Sequence, residues 1–229
     1  MNTTQLDSIL SALHSHFSPV LLKSNSILKA RRCSASPTNS LYLGVFSADN
    51  IPLEHLCNQT KTVYFVLNSD PSSSPGTHWL ACVKPPGSIL EFFDSYGNSP
   101  NFYHFSFPST LSILHNHDPF QSVYSSLCGQ YCIYFLYFRI FRKVSLQKIS
   151  THLRTSFKTR KLRDHYISNY VNILSRKFTN GKVSLLKKLI TANHSSEVSQ
   201  NSSTHVLQSS QALHTLPHNF LDFSNAQTE

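Results

Sequence analysis

The chain has 229 residues, of which 40% are hydrophobic and 14% are charged, and its formal net charge is +9. This composition is too apolar for a wholly disordered protein, and the length allows one domain with its own core. The longest apolar run, 131–138, has eight residues, whereas a membrane-spanning helix needs about twenty. The first residues lack a basic start and a continuous apolar stretch, so we expect no secretory signal.

The apolar pattern changes along the first two thirds of the chain. Helical spacing of apolar residues predicts a helix over 4–17, and the polar residues 18–40 predict a loop. Residues 108–115 predict a short helix, and 120–124 predict a strand. Between the predicted loop and residue 95, short β-rich runs are bounded by Pro, Gly and Ser. They predict strands at 41–46, 62–68, 78–83 and 89–95.

The pattern becomes helical from residue 128 onwards. It predicts helices over 128–141, 145–153 and near 163–177. Residues 191–229 contain no Lys or Arg and are rich in Ser, His, Asn and Gln, which is typical of a flexible tail. We therefore divide the chain into a domain over 1–190 and a polar tail over 191–229.

The positive charge is concentrated in one segment. Fourteen of the twenty Lys and Arg residues lie in 139–188, with Asp164 as the one acidic residue there. Such a segment favours sequence-independent contacts with the phosphates of DNA or RNA. The alternative is a solvated helical face. The candidate DNA contacts are Arg139, Arg142, Lys143, Lys158, Arg160, Lys161 and Arg163.

The five cysteines cannot all pair within one chain. Without a secretory signal, we expect free thiols in a reducing compartment. Cys132 lies one helical turn after Cys128, but no second Cys or His pair has the spacing of metal ligands. We therefore expect no metal site.

His78 opens the third predicted strand, and Asp94 closes the fourth. If the two strands form an antiparallel hairpin, its open end brings the two side chains together. The carboxylate then accepts a hydrogen bond from one imidazole nitrogen and leaves the other free to act as a base. The alternative is a surface histidine beside an aspartate in a turn.

Cys128 lies where a predicted loop becomes an apolar helix. The N–H groups and the partial positive charge of a helix N-terminus stabilise a thiolate, which is the nucleophilic form of cysteine. Gln121, seven residues earlier, has an amide that can donate to a developing oxyanion. The alternative is that Cys128 and Cys132 are small core residues.

Three stretches in this order resemble the adenovirus protease family, adenain, and the clan that includes SUMO-specific proteases. LYLGVF (41–46) resembles an early strand of the family. HWLACVKPPGSILEFFDSYG (78–97) and QSVYSSLCGQYCIYFLYF (121–138) resemble its His, acid, Gln and Cys motifs. Gln and Cys have the family's interval, and a second Cys follows four residues later. The resemblance covers roughly 4–180.

The resemblance implies an α+β fold. It has a papain-like core in permuted order, with a central mixed or antiparallel sheet packed on a buried helix that starts at the nucleophile, plus C-terminal helices. Cys128 would be the nucleophile, His78 the general base and acid, Asp94 its orienting group and Gln121 an oxyanion donor. The reaction would be cysteine endopeptidase cleavage through a thioester.

The resemblance also implies a biological setting. Substrates would be viral precursor proteins cleaved near Gly-containing sites during virion maturation, in the virion and the host cell nucleus. No cofactor is obligatory from the sequence, but DNA and a viral activating peptide are implied by the family. In adenain that peptide forms a disulfide upstream of the Gln, and residues 108–120 contain no cysteine here. We expect a monomer without membrane contact.

Three alternatives remain open at this stage. One is a protease that removes ubiquitin-like modifiers from host conjugates. The second is a non-enzymatic DNA-binding packaging protein with a degenerate protease fold, although all four site residues are present. The third is an acyltransferase, because the thioester can react with an amine instead of water.

Overall fold

The structure is a computed structural model, and it describes residues 1–17, 39–57 and 59–194, with side chains up to residue 178. The chain divides into two compact units, 1–182 and 183–229. Most of the predicted loop over 18–40 and of the predicted tail over 191–229 lies outside the described residues. The last helix continues to His194, four residues past the predicted domain boundary.

The first unit is a mixed α+β fold around one five-stranded mixed sheet. The strands lie side by side in chain order, and the first and last pairs are parallel while the two inner pairs are antiparallel. They are β1 Ser40–Phe46, β2 Thr62–Asn68, β3 Trp79–Lys84, β4 Leu90–Phe93 and β5 Ile113–His115.

Four α-helices occur among the residues that the structure describes. They are α1 Thr3–Phe17, α2 Cys128–Leu136, α3 Leu146–Thr155 and α4 Arg160–His194. A π-helix, Tyr137–Phe141, extends α2, and short 3₁₀ helices lie at Leu53–His55 and Pro100–Tyr103. Within the described residues, no helix is both long enough and apolar enough to cross a membrane.

Both faces of the three central strands, β2–β4, are buried, and alternate residues of each strand point to opposite faces. One face carries Phe65, Leu80 and Phe92, which pack with aromatic residues of the 100–107 segment. The opposite face packs on α2, where the rings of Phe93 and Phe135 stack at 4.6 Å. The helix that begins at Cys128 is therefore held rigidly against the sheet.

Most elements lie where the sequence predicts them, but two predictions are wrong. Residues 108–115 were expected to form a helix, and instead Ile113–His115 pairs with β4 as its parallel neighbour. Residues 120–124 were expected to form a strand, and they form a turn with Phe120 buried against Phe93. In both segments a long-range partner determines the conformation, because neither is long enough to have a reliable periodicity of its own.

Candidate active site

Cys128 is the first residue of α2, and it is 8% exposed. The residue before it, Leu127, gives the helix no side-chain cap. The backbone N–H groups of Gly129 and Trp79 instead donate to the Cys128 sulfur. A helix N-terminus and two backbone donors thus face the sulfur, which favours the thiolate over the thiol.

His78 precedes β3 and lies between Asp94 and Cys128. Its Nε2 is 2.7 Å from Asp94 Oδ1, and its side chain hydrogen-bonds the sulfur of Cys128. Because Nε2 is bound to the carboxylate, Nδ1 is the ring nitrogen left for a hydrogen bond with the sulfur. The antiparallel pairing of β3 with β4, expected from the sequence, brings these side chains together.

Asp94 is fully buried, and its carboxylate is surrounded by hydrogen-bond donors. Oδ1 accepts from the Tyr96 backbone N–H at 2.9 Å, in addition to His78. Oδ2 accepts from the Asn98 backbone N–H at 2.9 Å and from the Tyr103 hydroxyl at 2.8 Å. Donors on both oxygens stabilise the ionised form of a buried carboxylate.

Charge and hydrogen bonding shift the pKa values of His78, Cys128 and Asp94, each in the direction that favours its charged form. Burial opposes the charged form of His78, but its hydrogen bonds to Asp94 and Cys128 outweigh burial and raise the pKa of His78 to about 9. Burial likewise opposes ionisation of Cys128 and Asp94, but contact with His78 outweighs it and lowers the pKa of each. At neutral pH these directions favour a thiolate beside an imidazolium.

Gln121 is completely buried and is held by the segment that follows Asp94. Its Oε1 accepts from the Ser95 hydroxyl at 2.7 Å, and its backbone N–H donates to Ser95 O at 2.9 Å. Its Nε2 donates to Ser125 O at 2.7 Å and to the Tyr96 hydroxyl at 3.2 Å. The structure therefore connects Gln121 to Ser95, which follows Asp94, and to Tyr96, which stacks on His78, and Ser95 sets the orientation of its amide.

Several polar partners at this site were not anticipated from the sequence. Tyr96 and Tyr103 stack on His78, with ring centroids 4.8 Å and 5.9 Å away. Asn116 is buried and exchanges hydrogen bonds with the backbone of Asp94, at 2.9 and 2.7 Å. The proximity of Tyr96 to Asp94 in the sequence was the one available signal. Asn116 follows β5, where a helix was expected.

Helix α4 holds the turn that carries Gln121 through two buried side chains. Arg163 donates to Phe120 O at 2.8 Å. Asp164 accepts from the Ser122 backbone N–H at 3.2 Å and from the Tyr131 hydroxyl at 2.8 Å. The backbone on each side of Gln121 is therefore fastened to the helix.

The seven candidate DNA contacts fall into two groups. Arg139 binds Glu91 through two hydrogen bonds of 2.6 and 2.8 Å, and Arg163 is buried against Phe120 O. These two side chains are engaged within the fold. The other five side chains are exposed, and none of them has a described contact with Cys128. They are Arg142, Lys143, Lys158, Arg160 and Lys161.

No cluster of three or more His, Cys, Asp and Glu side chains suited to a metal occurs among residues 1–17, 39–57 and 59–178. Within the same ranges Cys57, Cys82, Cys128 and Cys132 are free thiols. Burial raises the pKa of Cys82 and Cys132 well above that of an ordinary thiol. Cys128 therefore differs from the other buried thiols in the direction of its pKa shift.

Solved structures that are similar to this chain include two remote neighbours. No family model matches the chain, and no curated protein matches it. The protease pS273R of ASFV is similar over 46% of this chain and 42% of that chain, with 25% identity and a TM-score of 0.31. The central domain of Lpg1148 from Legionella pneumophila is similar over 76% of this chain and 98% of that chain, with 11% identity and a TM-score of 0.39.

The chain thus spans less than half of the ASFV protease that it matches. Both TM-scores are too low to carry an argument about function.

Proposed function

We propose that the protein is a cysteine peptidase in which Cys128 is the nucleophile and His78 is the general base and acid. The observation that carries this proposal is the position of His78, hydrogen-bonded to Asp94 on one side and to the Cys128 sulfur on the other. A thiolate held at a helix N-terminus beside an imidazolium is the activated form of a cysteine nucleophile.

In the proposed reaction the Cys128 sulfur attacks the peptide carbonyl, and the carbonyl electron pair moves onto oxygen. The tetrahedral intermediate then collapses, the C–N bond breaks, and His78 gives its proton to the leaving amine. His78 next removes a proton from water, which hydrolyses the thioester. Asp94 keeps His78 oriented with Nδ1 toward the sulfur.

The finer part of the proposal concerns substrates and setting. We infer from the sequence motifs a role in cutting viral precursor proteins near Gly-containing sites during virion maturation. Action in the virion and host nucleus, and activation by DNA or a viral peptide, belong to the same inference. The exposed basic residues on and before α4 support DNA as a partner. The permuted papain-like order of the fold and a monomeric state are likewise proposals.

The test of the core proposal is the pH dependence of alkylation by limiting iodoacetamide, with each cysteine followed by mass spectrometry. We expect Cys128 to react well below pH 7, and the His78→Ala variant to lose that reactivity. Cys57, which is exposed, is the internal control for a thiol outside the candidate site. If Cys128 reacts no faster than Cys57 at pH 6, with and without DNA, the peptidase proposal is wrong.

A second experiment separates the substrate classes. Internally quenched peptides with Gly-Gly or Gly-x-Gly before the cleaved bond are compared with C-terminal Gly-Gly probes of ubiquitin-like modifiers. Endopeptidase cleavage of the peptides supports precursor processing. Preferential turnover of the modifier probes supports a protease of ubiquitin-like conjugates, and acyl transfer to an added amine supports an acyltransferase.

A further inference from the structure

The amide group of Gln121 has no spare hydrogen in this structure. A side-chain amide has two N–H donors, and those of Gln121 are directed to Ser125 O at 2.7 Å and to the Tyr96 hydroxyl at 3.2 Å. Ser95 fixes the orientation of the amide by donating to Oε1 at 2.7 Å. A direct bond from Gln121 to a substrate oxygen therefore requires that one of these bonds break.

Tyr96, by contrast, has a hydroxyl hydrogen that is poorly used. The hydroxyl of Tyr96 is directed to Ser125 O, and the two oxygens are 3.5 Å apart. This distance is beyond the usual O–H···O range of about 2.5–3.0 Å. Tyr96 is half-buried, and its ring stacks on His78 with the centroids 4.8 Å apart. Burial, followed by the charge on Cys128, raises the pKa of Tyr96, so its hydroxyl keeps its proton at neutral pH.

These contacts place the ring of Tyr96 on the predicted base, His78, and its hydroxyl at the end of a hydrogen bond from Gln121. An O–H group that accepts a hydrogen bond becomes a stronger donor itself. A preorganised donor of this kind stabilises negative charge that develops on a substrate oxygen. The order of donors would be Gln121 N–H to Tyr96 Oη, and Tyr96 O–H to the substrate.

We propose that Tyr96 is a further catalytic residue, whose hydroxyl donates to the carbonyl oxygen of the substrate as Cys128 attacks, and that Gln121 acts through it. The proposal rests on the peptidase function proposed above. In this step the C–S bond forms and the carbonyl π pair becomes the oxyanion charge. The proton of Tyr96 stays on Tyr96, and that of His78 is transferred only later, to the leaving group.

Two reactions of Cys128 separate this role from general support of the site. Acylation by N-acetylglycine p-nitrophenyl ester creates an oxyanion, whereas alkylation by iodoacetamide, a displacement at a saturated carbon, creates none. We expect Tyr96→Phe to lower the single-turnover acylation rate by about tenfold or more. The alkylation rate of Cys128 and its pH profile should stay within about twofold of the unmodified protein.

Tyr103→Phe is the matched control, since Tyr103 also stacks on His78 but donates its hydroxyl to Asp94. We expect this variant to change acylation and alkylation in parallel, because the lost bond acts through Asp94 and His78. The same ring is kept in both variants, so each experiment reports the loss of one hydroxyl group.

The proposal is overturned if Tyr96→Phe acylates at the unchanged rate or faster. It is also overturned if acylation and alkylation fall together in Tyr96→Phe, since Tyr96 would then only position His78. Failure of the underlying peptidase function gives a different result. In that case the unmodified protein neither alkylates selectively at Cys128 nor releases p-nitrophenolate in a Cys128-dependent burst, and both proposals fall.

Discussion

Asp94 is the residue on which most polar contacts of the candidate site converge. Its two oxygens accept from His78, from the hydroxyl of Tyr103 and from two backbone N–H groups, and the residue has no exposure to solvent. The negative charge of Asp94 and its hydrogen bond hold His78 in the charged form. The charge of Asp94, and not only its shape, should therefore matter for the reaction.

We predict that Asp94→Asn lowers kcat/KM for a cleaved peptide by about 10²-fold, because the neutral amide no longer stabilises the imidazolium of His78. The pKa of His78 should fall and that of Cys128 should rise, which moves alkylation of Cys128 to higher pH. The control is Asp118→Asn, since Asp118 is partly exposed and pairs with Arg154. An unchanged alkylation profile in Asp94→Asn would contradict this prediction.

The raised pKa of His78 also predicts the alkaline limit of activity. The thiolate and the imidazolium coexist above the lowered pKa of Cys128 and below the pKa of His78, at about 9. Peptide cleavage should therefore fall as the pH rises through about 9, when His78 loses the proton that the leaving amine needs.

Two substrates check this interpretation of the alkaline limit. A p-nitrophenyl ester has a leaving group that needs no proton, so its acylation rate should persist above pH 9 while peptide cleavage falls. Parallel loss of both rates in this pH range would indicate unfolding or loss of the nucleophile instead. Far-UV circular dichroism over the same range tests for unfolding.

At the scale of elements, the turn that carries Gln121 depends on α4. Asp164 accepts from the Ser122 backbone N–H and from the Tyr131 hydroxyl, and it is 6% exposed. Removing the carboxylate leaves the half-buried Ser122 N–H without its acceptor, while the Tyr131 hydroxyl keeps Phe120 O at 3.3 Å. Such a loss costs about 1–3 kcal/mol per buried group.

We predict that Asp164→Ala lowers the free energy of unfolding by about 1–3 kcal/mol in urea titrations. It should also reduce acylation of Cys128 more than alkylation, because the turn positions Gln121 and not Cys128. Lys161→Ala is the control on the same helix, and its exposed position predicts a change within about 0.5 kcal/mol. Equal stability of the two variants would show that the contact with Ser122 contributes nothing measurable.

At the scale of the whole molecule, the net charge of +9 is distributed between structural and exposed positions. Arg139 of the π-helix is paired with Glu91 of β4, and this bidentate pair supports the fold. The exposed residues Lys158, Arg160 and Lys161 lie at and just before the start of α4. If the protein binds DNA, these residues should account for part of its dependence on salt.

We predict that a Lys158→Gln, Arg160→Gln, Lys161→Gln triple variant binds duplex DNA more weakly than the unmodified protein. The slope of log K against log salt should fall by about 0.9 for each phosphate contact removed. Fluorescence anisotropy of a labelled duplex at several NaCl concentrations gives this slope. Lys61→Gln is the control outside the basic segment. An unchanged slope in the triple variant would exclude this surface as the DNA contact.

Periodicity and motif order made much of this structure predictable. The helix over 4–17 and the four strands before residue 96 match α1 and β1–β4 closely, because each has several apolar residues at a regular spacing. The hairpin of β3 and β4 also follows from the sequence, and it explains the meeting of His78 with Asp94. The catalytic roles of these residues stay predictions until alkylation and turnover are measured.

The sequence by itself determined the larger helices and strands and the candidate residues His78, Asp94, Gln121 and Cys128. Only the tertiary structure decided that 113–115 is a strand, that the 120–124 segment is a turn, and that Tyr103, Asn116 and Asp164 reach the site. The physical reason is the range of the interactions. Periodicity is a property of consecutive residues and can be read locally. The conformation of a short segment depends on residues far away in the sequence, and so does the hydrogen-bond partner of a buried polar group.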